Sequence, residues 1–187
     1  MRTIIVGNSD SLIDAKNGVV IDQFDQVVRC NRAPLKGFAY AVGEKQDLRF
    51  VNDHLARGSE HEGNTELDWS EMAGEMIFTS QEISPSEFAQ RFPSDCRYIW
   101  YSRQYWKQQL FRYDFEISKV HNPSIGFEAI CYFLGQDVTI TGFDLSDDHI
   151  FQHYWNVKRK RNSTYHKWDY EKKTLREIID RGMINVL

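Results

Sequence analysis

Short apolar runs alternate with stretches of helical spacing along most of the chain. Runs rich in β-branched and aromatic residues predict strands at Thr3–Val6, Gln26–Cys30, Asp47–Val51, Glu75–Thr79, Tyr98–Tyr101 and Val138–Thr141. Helical spacing and capping residues predict helices that start near Ser9, Ser84, Arg103, Ser124 and Trp168. Strands that alternate with helices favour an α/β fold with a mostly parallel sheet.

The last two predicted helices have the clearest patterns. Ser124 is a candidate N-cap, and Gly135 suits the end of the same helix. The apolar side of this helix is expected to carry Phe127, Ile130, Cys131 and Leu134. The final helix, from Trp168 to Ile179, is expected to place on its apolar side Tyr170, Leu175, Ile178 and Ile179.

Two polar segments are predicted to be long loops, His54–Trp69 and Asp144–Tyr165. Both exceed the usual length of a connection, so each is expected to serve function or to move. The second is predicted to be a lid over residues 144–165 that closes over a ligand. Its basic run, Lys158–Arg161, either steers an anionic ligand or only solubilises the loop. A chain of 187 residues suits one domain, from 1 to 187.

Composition and charge exclude several classes of function. The net charge of −4 provides no basic field, so no nucleic-acid partner is expected. The three cysteines match no metal site or disulfide framework, which predicts reduced thiols in a cytosolic protein. The chain shows no signal-peptide pattern and no run long enough to span a bilayer. Contact with a membrane surface through basic residues is left open.

Asparagine follows each of the first three predicted strands, at Asn8, Asn31 and Asn52. In an open α/β sheet, ligands bind beyond the carboxyl ends of the strands. A neutral amide there can bind a ribose, a base edge or an anion without adding charge. Asparagine also favours turns for purely local reasons, but three in succession favour a binding site.

Two predicted helix starts are suited to anions. Gly7 permits a tight turn after the first strand, and the helix near Ser9 would direct free N–H groups to the same edge. The alternative is that Asn8 only forms a left-handed turn, or caps the helix with Ser9. Ser124 opens the second such start, whose alternative is an ordinary helix–strand unit. The strand that follows it ends at the same edge, at Gly142–Asp144.

Two histidines are candidates for catalysis. His153 and His166 lie in or beside the second long loop, and an imidazole that titrates near neutral pH can act as a general base. Glu171 follows His166 by five positions and either orients it or pairs with lysines on its own helix. Asp147 and Asp148 are adjacent, which is typical of a solvated turn and not of a metal pair.

Four motifs together resemble those of glycosyltransferase family 29. "VGNSDSL…VVIDQFDQVVRCNRAP" is similar to its large sialyl motif, and "NPSIGFEAICYFL…VTITGFD" to its small sialyl motif. "HYW" at His153–Trp155 resembles motif III, and His166 with Glu171 resembles the very small motif, His-x4-Glu. The order of the motifs also matches. The strand-end asparagines are similar to those of the bacterial sialyltransferases of family 42 too.

The resemblance implies an inverting transferase that uses CMP-sialic acid or a related CMP-sugar, with no metal or other cofactor. It implies a single Rossmann-like α/β/α domain of a GT-A-variant type and a glycan or glycolipid acceptor. His166 would be the base that takes a proton from the acceptor hydroxyl. The residues expected near the donor are Asn8, Ser9, Asn31, Asn52 (on the family 42 pattern), Ser124, Ile125, Gly126, Gly142, Phe143, Asp144 and, on the phosphate, His153 or Tyr154.

The chain departs from the animal enzymes of the family at two points. No cysteine precedes the first strand to form their disulfide, and Asn156 follows Trp155 where motif III usually has an acid. The resemblance therefore implies a cytoplasmic microbial enzyme, with peripheral contact at the inner membrane left open. Two alternatives remain. The "GN-x-x-S/L" opening also resembles pterin pyrophosphokinases, which would need Mg²⁺, and a non-catalytic CMP-binding module would need no turnover.

Overall fold

The computed structural model describes residues 1–52, 76–79, 97–100, 104–117, 122–146, 153–155 and 168–187, together with Ser86 and Gln90. The strands in this part of the chain are β1 (Thr3–Val6), β2 (Gln26–Cys30), β3 (Leu48–Val51), β4 (Met76–Thr79), β5 (Arg97–Trp100), β6 (Val138–Thr141) and β7 (Asn185–Val186). The helices are α1 (Ser11–Ala15), α2 (Gly18–Ile21), α3 (Ala39–Val42), α4 (Tyr105–Arg112), α5 (Ile125–Phe133) and α6 (Trp168–Asp180).

The described strands form one parallel sheet in the order β5-β4-β3-β2-β1-β6-β7. The chain moves outward from β1 to β5 and then returns to place β6 beside β1. The direction of winding therefore reverses between β1 and β6. In open α/β sheets the crevice for a ligand lies at such a reversal, beyond the carboxyl ends of the strands.

Two hydrophobic clusters cover opposite faces of the sheet. Alternate residues of a strand point to opposite faces, so Ile5 joins the cluster under α4, α5 and α6 while Ile4 joins the one under α1, α2 and α3. Strands covered on both faces read as continuous apolar runs, as β1 does. This arrangement confirms the predicted three-layer α/β/α fold with a parallel sheet.

Most predicted elements are found with small shifts. β1, β2 and β6 have their predicted bounds, and Gly135 follows α5 with a φ of 86°. The first helix begins at Ser11 instead of near Ser9. α2, α3 and β7 were not predicted because they are too short to show a period. The helix predicted from Ser84 and the loop His54–Trp69 lie outside the described residues, except for Ser86 and Gln90, which are helical.

The buried side of α6 differs from the predicted one. Glu171, Thr174, Leu175 and Ile178 are buried, whereas the side chain of Tyr170 is 37 % exposed. The prediction that Tyr170 lies on the packed side is therefore wrong. The hydrophobic pattern predicted the wrong buried side because two of the buried residues, Glu171 and Thr174, are polar. Glu171 accepts hydrogen bonds from Ser124, the N-cap of α5.

Two of the cysteines are described, and both Cys30 and Cys131 are buried free thiols. Burial raises the pKa of the Cys30 thiol to about 12, with the guanidinium groups of Arg49 and Arg29 acting in the opposite direction. Cys96 lies outside the described residues. No helix in the described ranges has the length and apolar character needed to cross a membrane.

Candidate functional site

The ends of β1 and β6 make an unusually close backbone contact at the reversal point of the sheet. The Gly7 N–H donates to the Thr141 carbonyl at 2.7 Å, and the Ser9 N–H donates to the Gly142 carbonyl at 3.0 Å. A Cβ atom on Gly7 would lie 2.3 Å from the Gly142 oxygen, which no side chain can tolerate. Gly7 is therefore required so that the two strand ends can approach each other.

The side chain of Asn8 links β1 to the end of β2. Its Nδ2 donates to the Cys30 carbonyl at 3.0 Å, and the residue is only 9 % exposed. Its Oδ1 is buried and finds no hydrogen-bond partner in the described part of the chain. Asn8 does not cap α1; the Ser9 hydroxyl accepts from the Ser11 N–H at 3.3 Å instead. Asn8 thus places a buried acceptor, to which no described group donates a hydrogen bond, at the point where the winding of the sheet reverses.

Asn31 joins the ends of β2 and β3. It adopts a left-handed conformation with a φ of 52°, and its Oδ1 accepts from the Asn52 N–H at 2.9 Å. No hydrogen bond of its Nδ2 group is found among the described residues. The Cys30 carbonyl that Asn8 contacts belongs to the peptide bond that joins Cys30 to Asn31, so the first two predicted asparagines converge. Asn52 contributes its backbone to this junction.

Two fully buried arginines support this edge, and the sequence analysis missed both. Arg29 and Arg49 are paired neighbours on β2 and β3. The Arg49 guanidinium donates to the carbonyls of Asn31 at 2.8 Å and Arg32 at 2.9 Å. Arg29 donates to the Val42 carbonyl at the end of α3, at 2.6 Å. A buried charge needs such hydrogen bonds. The sequence feature that could have identified these two residues was the presence of an arginine inside each apolar strand.

The segment 153–155 packs against the first strand-to-helix turn. His153 forms an antiparallel bridge with Ser9, and the Tyr154 N–H donates to the Asn8 carbonyl at 3.1 Å. The His153 ring stacks on Trp155 with 4.4 Å between centroids. The segment that resembles motif III and the opening turn are therefore in contact, and their role as parts of one donor site stays a prediction.

Tyr154 has a structural partner for its hydroxyl group. The phenol donates to the Pro34 carbonyl at 2.7 Å, and the residue is 3 % exposed. Burial raises the pKa of this phenol, partly offset by the charges of Arg29 and Arg49. Together with Arg49, Tyr154 fixes the carbonyls of the turn that follows Asn31. A contact between the phenol and a donor phosphate stays a prediction.

The start of α5 is held by a buried carboxylate. The Ser124 hydroxyl accepts from the Phe127 N–H at 3.2 Å, which confirms the predicted N-cap. The Ser124 N–H donates to one Glu171 oxygen at 2.8 Å, and the Ser124 hydroxyl donates to the other at 2.7 Å. Burial raises the pKa of Glu171 to about 7; the two Ser124 hydrogen bonds lower it and the charge of Glu128 raises it.

The first turn of α5 lies beside Cys30 and the exit from β6. A Cβ atom on Gly126 would lie 2.8 Å from the Phe143 ring and 3.9 Å from the Cys30 sulfur. Glycine at this position lets the helix start approach the Phe143 ring, while the distance to the sulfur is an ordinary van der Waals contact. Because Asn8 also donates to the Cys30 carbonyl, four elements meet around Cys30, namely α5, β1, β2 and β6.

Asp144 is the last residue of the segment Gly142–Asp144 that follows β6, and both of its carboxylate oxygens have partners. One oxygen accepts from the Ser146 N–H at 2.9 Å, and the other lies 3.6 Å from the Lys172 ammonium. Arg176 donates to the Leu145 carbonyl. The loop after Phe143 is therefore fixed by α6, the same helix that provides Glu171.

Most of the predicted site residues lie at this edge, and their role in binding the donor stays a prediction. His166, the predicted base, lies outside the described residues, as does most of the predicted lid 144–165. Within the described ranges, no group of three or more His, Cys, Asp or Glu side chains is placed to hold a metal ion.

Comparisons with known proteins identify relatives of the chain. The profile of glycosyltransferase family 29 (sialyltransferase) matches residues 1–84 and 77–183. The CMP-N-acetylneuraminate-beta-1,4-galactoside alpha-2,3-sialyltransferase of Homo sapiens is 28 % identical over 213 residues, which cover all of this chain and 57 % of that protein. Sialyltransferase-like protein 2 of Arabidopsis thaliana is 39 % identical over 56 residues, which cover 30 % of this chain and 13 % of that protein.

A solved structure matches the fold. A mammalian sialyltransferase in complex with Gal-beta-1-3GalNAc-ortho-nitrophenol superposes with a TM-score of 0.66 at 20 % identity. The match covers all of this chain and 68 % of that chain. The chain spans 57 % of the length of the human relative.

Proposed function

Because the chain belongs to glycosyltransferase family 29, the sialyltransferases, we propose that it transfers sialic acid or a related sugar from a CMP-sugar to a hydroxyl of a glycan. The proposed reaction inverts the anomeric centre and needs no metal. The observation that carries the proposal is the convergence of Asn8, Asn31 and the start of α5 around Cys30. This convergence lies where an α/β sheet binds nucleotides.

The two asparagines offer complementary hydrogen-bonding groups to a nucleotide. Asn8 has used one Nδ2 proton on Cys30, so its Oδ1 suits a ribose hydroxyl or a base amino group. A buried acceptor without a partner costs about 1–3 kcal/mol, which such a ligand group would recover. Asn31 has used its Oδ1, so its Nδ2 suits a phosphate oxygen. Neither side chain adds charge.

The phosphate of the leaving CMP needs further donors. The N–H groups of Ile125 and Gly126 open α5 and have no partner within a helix. They suit an anion on geometric and electrostatic grounds. His166 is proposed as the general base for the acceptor hydroxyl, a role typically worth about 10²–10⁴ in rate. The lid over 144–165 and the similarity to family 42 stay predictions.

Nucleotide binding is the first test. We expect CMP to raise the melting temperature more than UDP, GDP or ATP, because a ligand that binds only the folded state stabilises it. A preference for purine nucleotides would contradict the proposal. Transfer from CMP-sialic acid to a panel of galactosides then tests turnover, with and without EDTA.

Each alternative function has a distinct outcome in these assays. Turnover that EDTA abolishes would favour the pyrophosphokinase-like alternative. CMP binding without turnover on any acceptor would favour a non-catalytic module. If turnover occurs, His166→Ala is expected to reduce it by about 10²-fold or more. A reduction of only a few-fold would remove His166 from the role of base.

A further inference from the structure

The start of α5 already holds a carboxyl group that belongs to the protein itself. Both oxygens of the Glu171 carboxylate accept hydrogen bonds from Ser124, one from its N–H at 2.8 Å and one from its hydroxyl at 2.7 Å. Glu171 is only 5 % exposed. The contact joins α6 to α5 across 47 positions of sequence, so no local preference explains it.

This contact decides which groups of α5 remain for a donor. Ser124 has given its single hydroxyl proton to Glu171, so the hydroxyl cannot donate to a phosphate while that bond exists. Its N–H group is used as well. The next two N–H groups, of Ile125 and Gly126, have no intrahelical acceptor. Their direction is therefore set by how the first turn of α5 is held.

We propose that Glu171 is a positioning residue, which fixes the start of α5 through Ser124 and thereby directs the N–H groups of Ile125 and Gly126 to the phosphate of the donor. This inference rests on the proposed function. It assigns Glu171 a target other than the orientation of His166 that the sequence pattern suggested.

The rest of α6 supports this assignment. Lys172 lies 3.6 Å from Asp144, and Arg176 donates to the Leu145 carbonyl. These contacts hold the segment after Phe143, whose ring packs against Gly126. One helix therefore holds both α5 and the segment that follows β6, which pack on each other at Gly126 and Phe143, and Glu171 holds the α5 side.

The charged and titratable neighbours of Glu171 favour a role in holding the helix. Glu128, also buried, repels the Glu171 carboxylate from the same helix that Ser124 caps. Cys131 lies near enough for the Glu171 charge to raise the pKa of its thiol. A buried carboxylate beside another acid persists only where its hydrogen bonds are strong, and Ser124 supplies both of them.

Calorimetry with CMP on single variants of the full chain tests the proposal. Glu171→Ala removes both acceptors, and we expect the Kd for CMP to rise about tenfold or more, the equivalent of one charge-assisted contact. Glu171→Gln keeps an acceptor for the Ser124 N–H, so its Kd should stay within about threefold of the parent. Glu177→Gln, on the same helix and paired with Arg181 at the surface, is the matched control and should bind as the parent does.

Kinetics separate positioning from an effect on the predicted base. If Glu171 positions α5, Glu171→Ala raises the KM for the CMP-sugar while kcat and its pH profile change little. If Glu171 acts on His166 instead, kcat and the acidic limb of its pH profile, which reports the pKa of a general base, move while the Kd for CMP does not, and the proposal is overturned. A Glu171→Gln variant as weak as Glu171→Ala would also overturn it.

Hydrogen exchange keeps the inference separate from the proposed function. We expect peptides that cover residues 122–128 to exchange faster in Glu171→Ala than in the parent, and not in Glu177→Gln. If the parent fails to bind CMP while this change is present, the proposed function has failed and the hold on α5 stands. If exchange is unchanged in a folded variant, the positioning role is wrong. Should Glu171→Ala not fold, Glu171→Asp shortens the reach and takes its place.

Discussion

Replacement of Ser124 by alanine would test how strongly the start of α5 is held. The serine hydroxyl performs two tasks at once, since it caps Phe127 and donates to the Glu171 carboxylate. Alanine removes both contacts and leaves only the backbone N–H of residue 124 on that carboxylate. The variant therefore weakens the N-cap of α5 and removes one of the two hydrogen bonds that the Glu171 carboxylate accepts.

The expected loss follows from these two terms. An N-cap contributes about 1 kcal/mol, and a hydrogen bond to a charged group contributes about 1.5–3 kcal/mol. Together they predict a loss of about 2.5–4 kcal/mol in the free energy of unfolding when Glu171 is ionised. When Glu171 is protonated, the second term shrinks towards that of a neutral bond, about 0.5–1.5 kcal/mol, and the loss falls to about 1.5–2.5 kcal/mol.

The pH dependence has a definite sign. Burial raises the pKa of Glu171 from 4.5 to about 7, so between these values the folded protein binds a proton that the unfolded chain does not. The contribution of this group to stability therefore falls as pH rises through that window and levels off above pH 7, by about 3 kcal/mol in all. Ser124→Ala removes a bond that lowers the pKa, so the fall continues to higher pH.

Urea unfolding followed by circular dichroism at about pH 5.5 and about pH 8 measures both effects, provided that each transition is two-state. We expect the difference between parent and Ser124→Ala to be larger at the higher pH. Ser124→Thr retains a hydroxyl and is the control, with most of the stability kept. An equal loss at the two pH values would refute the assigned coupling between Ser124 and the charge of Glu171.

Three further predictions concern the edge formed by β1, β2 and β6. Gly7→Ala should reduce the free energy of unfolding by about 2–4 kcal/mol in urea titrations, because its Cβ would lie 2.3 Å from the Gly142 oxygen; a change below about 0.5 kcal/mol would contradict that clash. Tyr154→Phe should cost about 1–3 kcal/mol by leaving the Pro34 carbonyl unpaired, with the Kd for CMP unchanged; weaker binding at constant stability would assign the phenol to the donor. Asn31→Asp keeps the acceptor for Asn52 but replaces the free Nδ2 donor with a charged oxygen, so calorimetry should show at least about tenfold weaker CMP binding.

Parts of the site were predictable because their causes are local. Ser124 was recognised as a cap from its place before an apolar stretch, and the structure confirms it. Asn8 and Asn31 were identified as strand-end residues, which depends only on where β1 and β2 stop. The tight turn at Gly7 was expected, but its contact with Gly142 was not, because β6 lies far away in the sequence.

Other parts depended on long-range packing. Arg29 and Arg49 interrupt apolar strands in the sequence. Only the structure shows that their guanidinium groups donate to the carbonyls of Val42 and Asn31. Tyr154 is expected at the donor phosphate from its motif, and only the fold shows that its hydroxyl also has a partner within the protein, the Pro34 carbonyl. Glu171 was expected either to orient His166 or to pair with lysines on its own helix, and only the fold shows that it accepts hydrogen bonds from Ser124.

The order of residues alone determined the α/β class, the bounds of β1, β2 and β6, and the motifs that led to family 29, because strand period, caps and motif spacing are properties of short segments. Only the tertiary structure decided that winding reverses between β1 and β6, which side of α6 is buried, and that Glu171 occupies the start of α5. A polar side chain is stable in the interior only where distant groups complete its hydrogen bonds. The packing of the whole chain decides which distant groups lie close enough to form those hydrogen bonds.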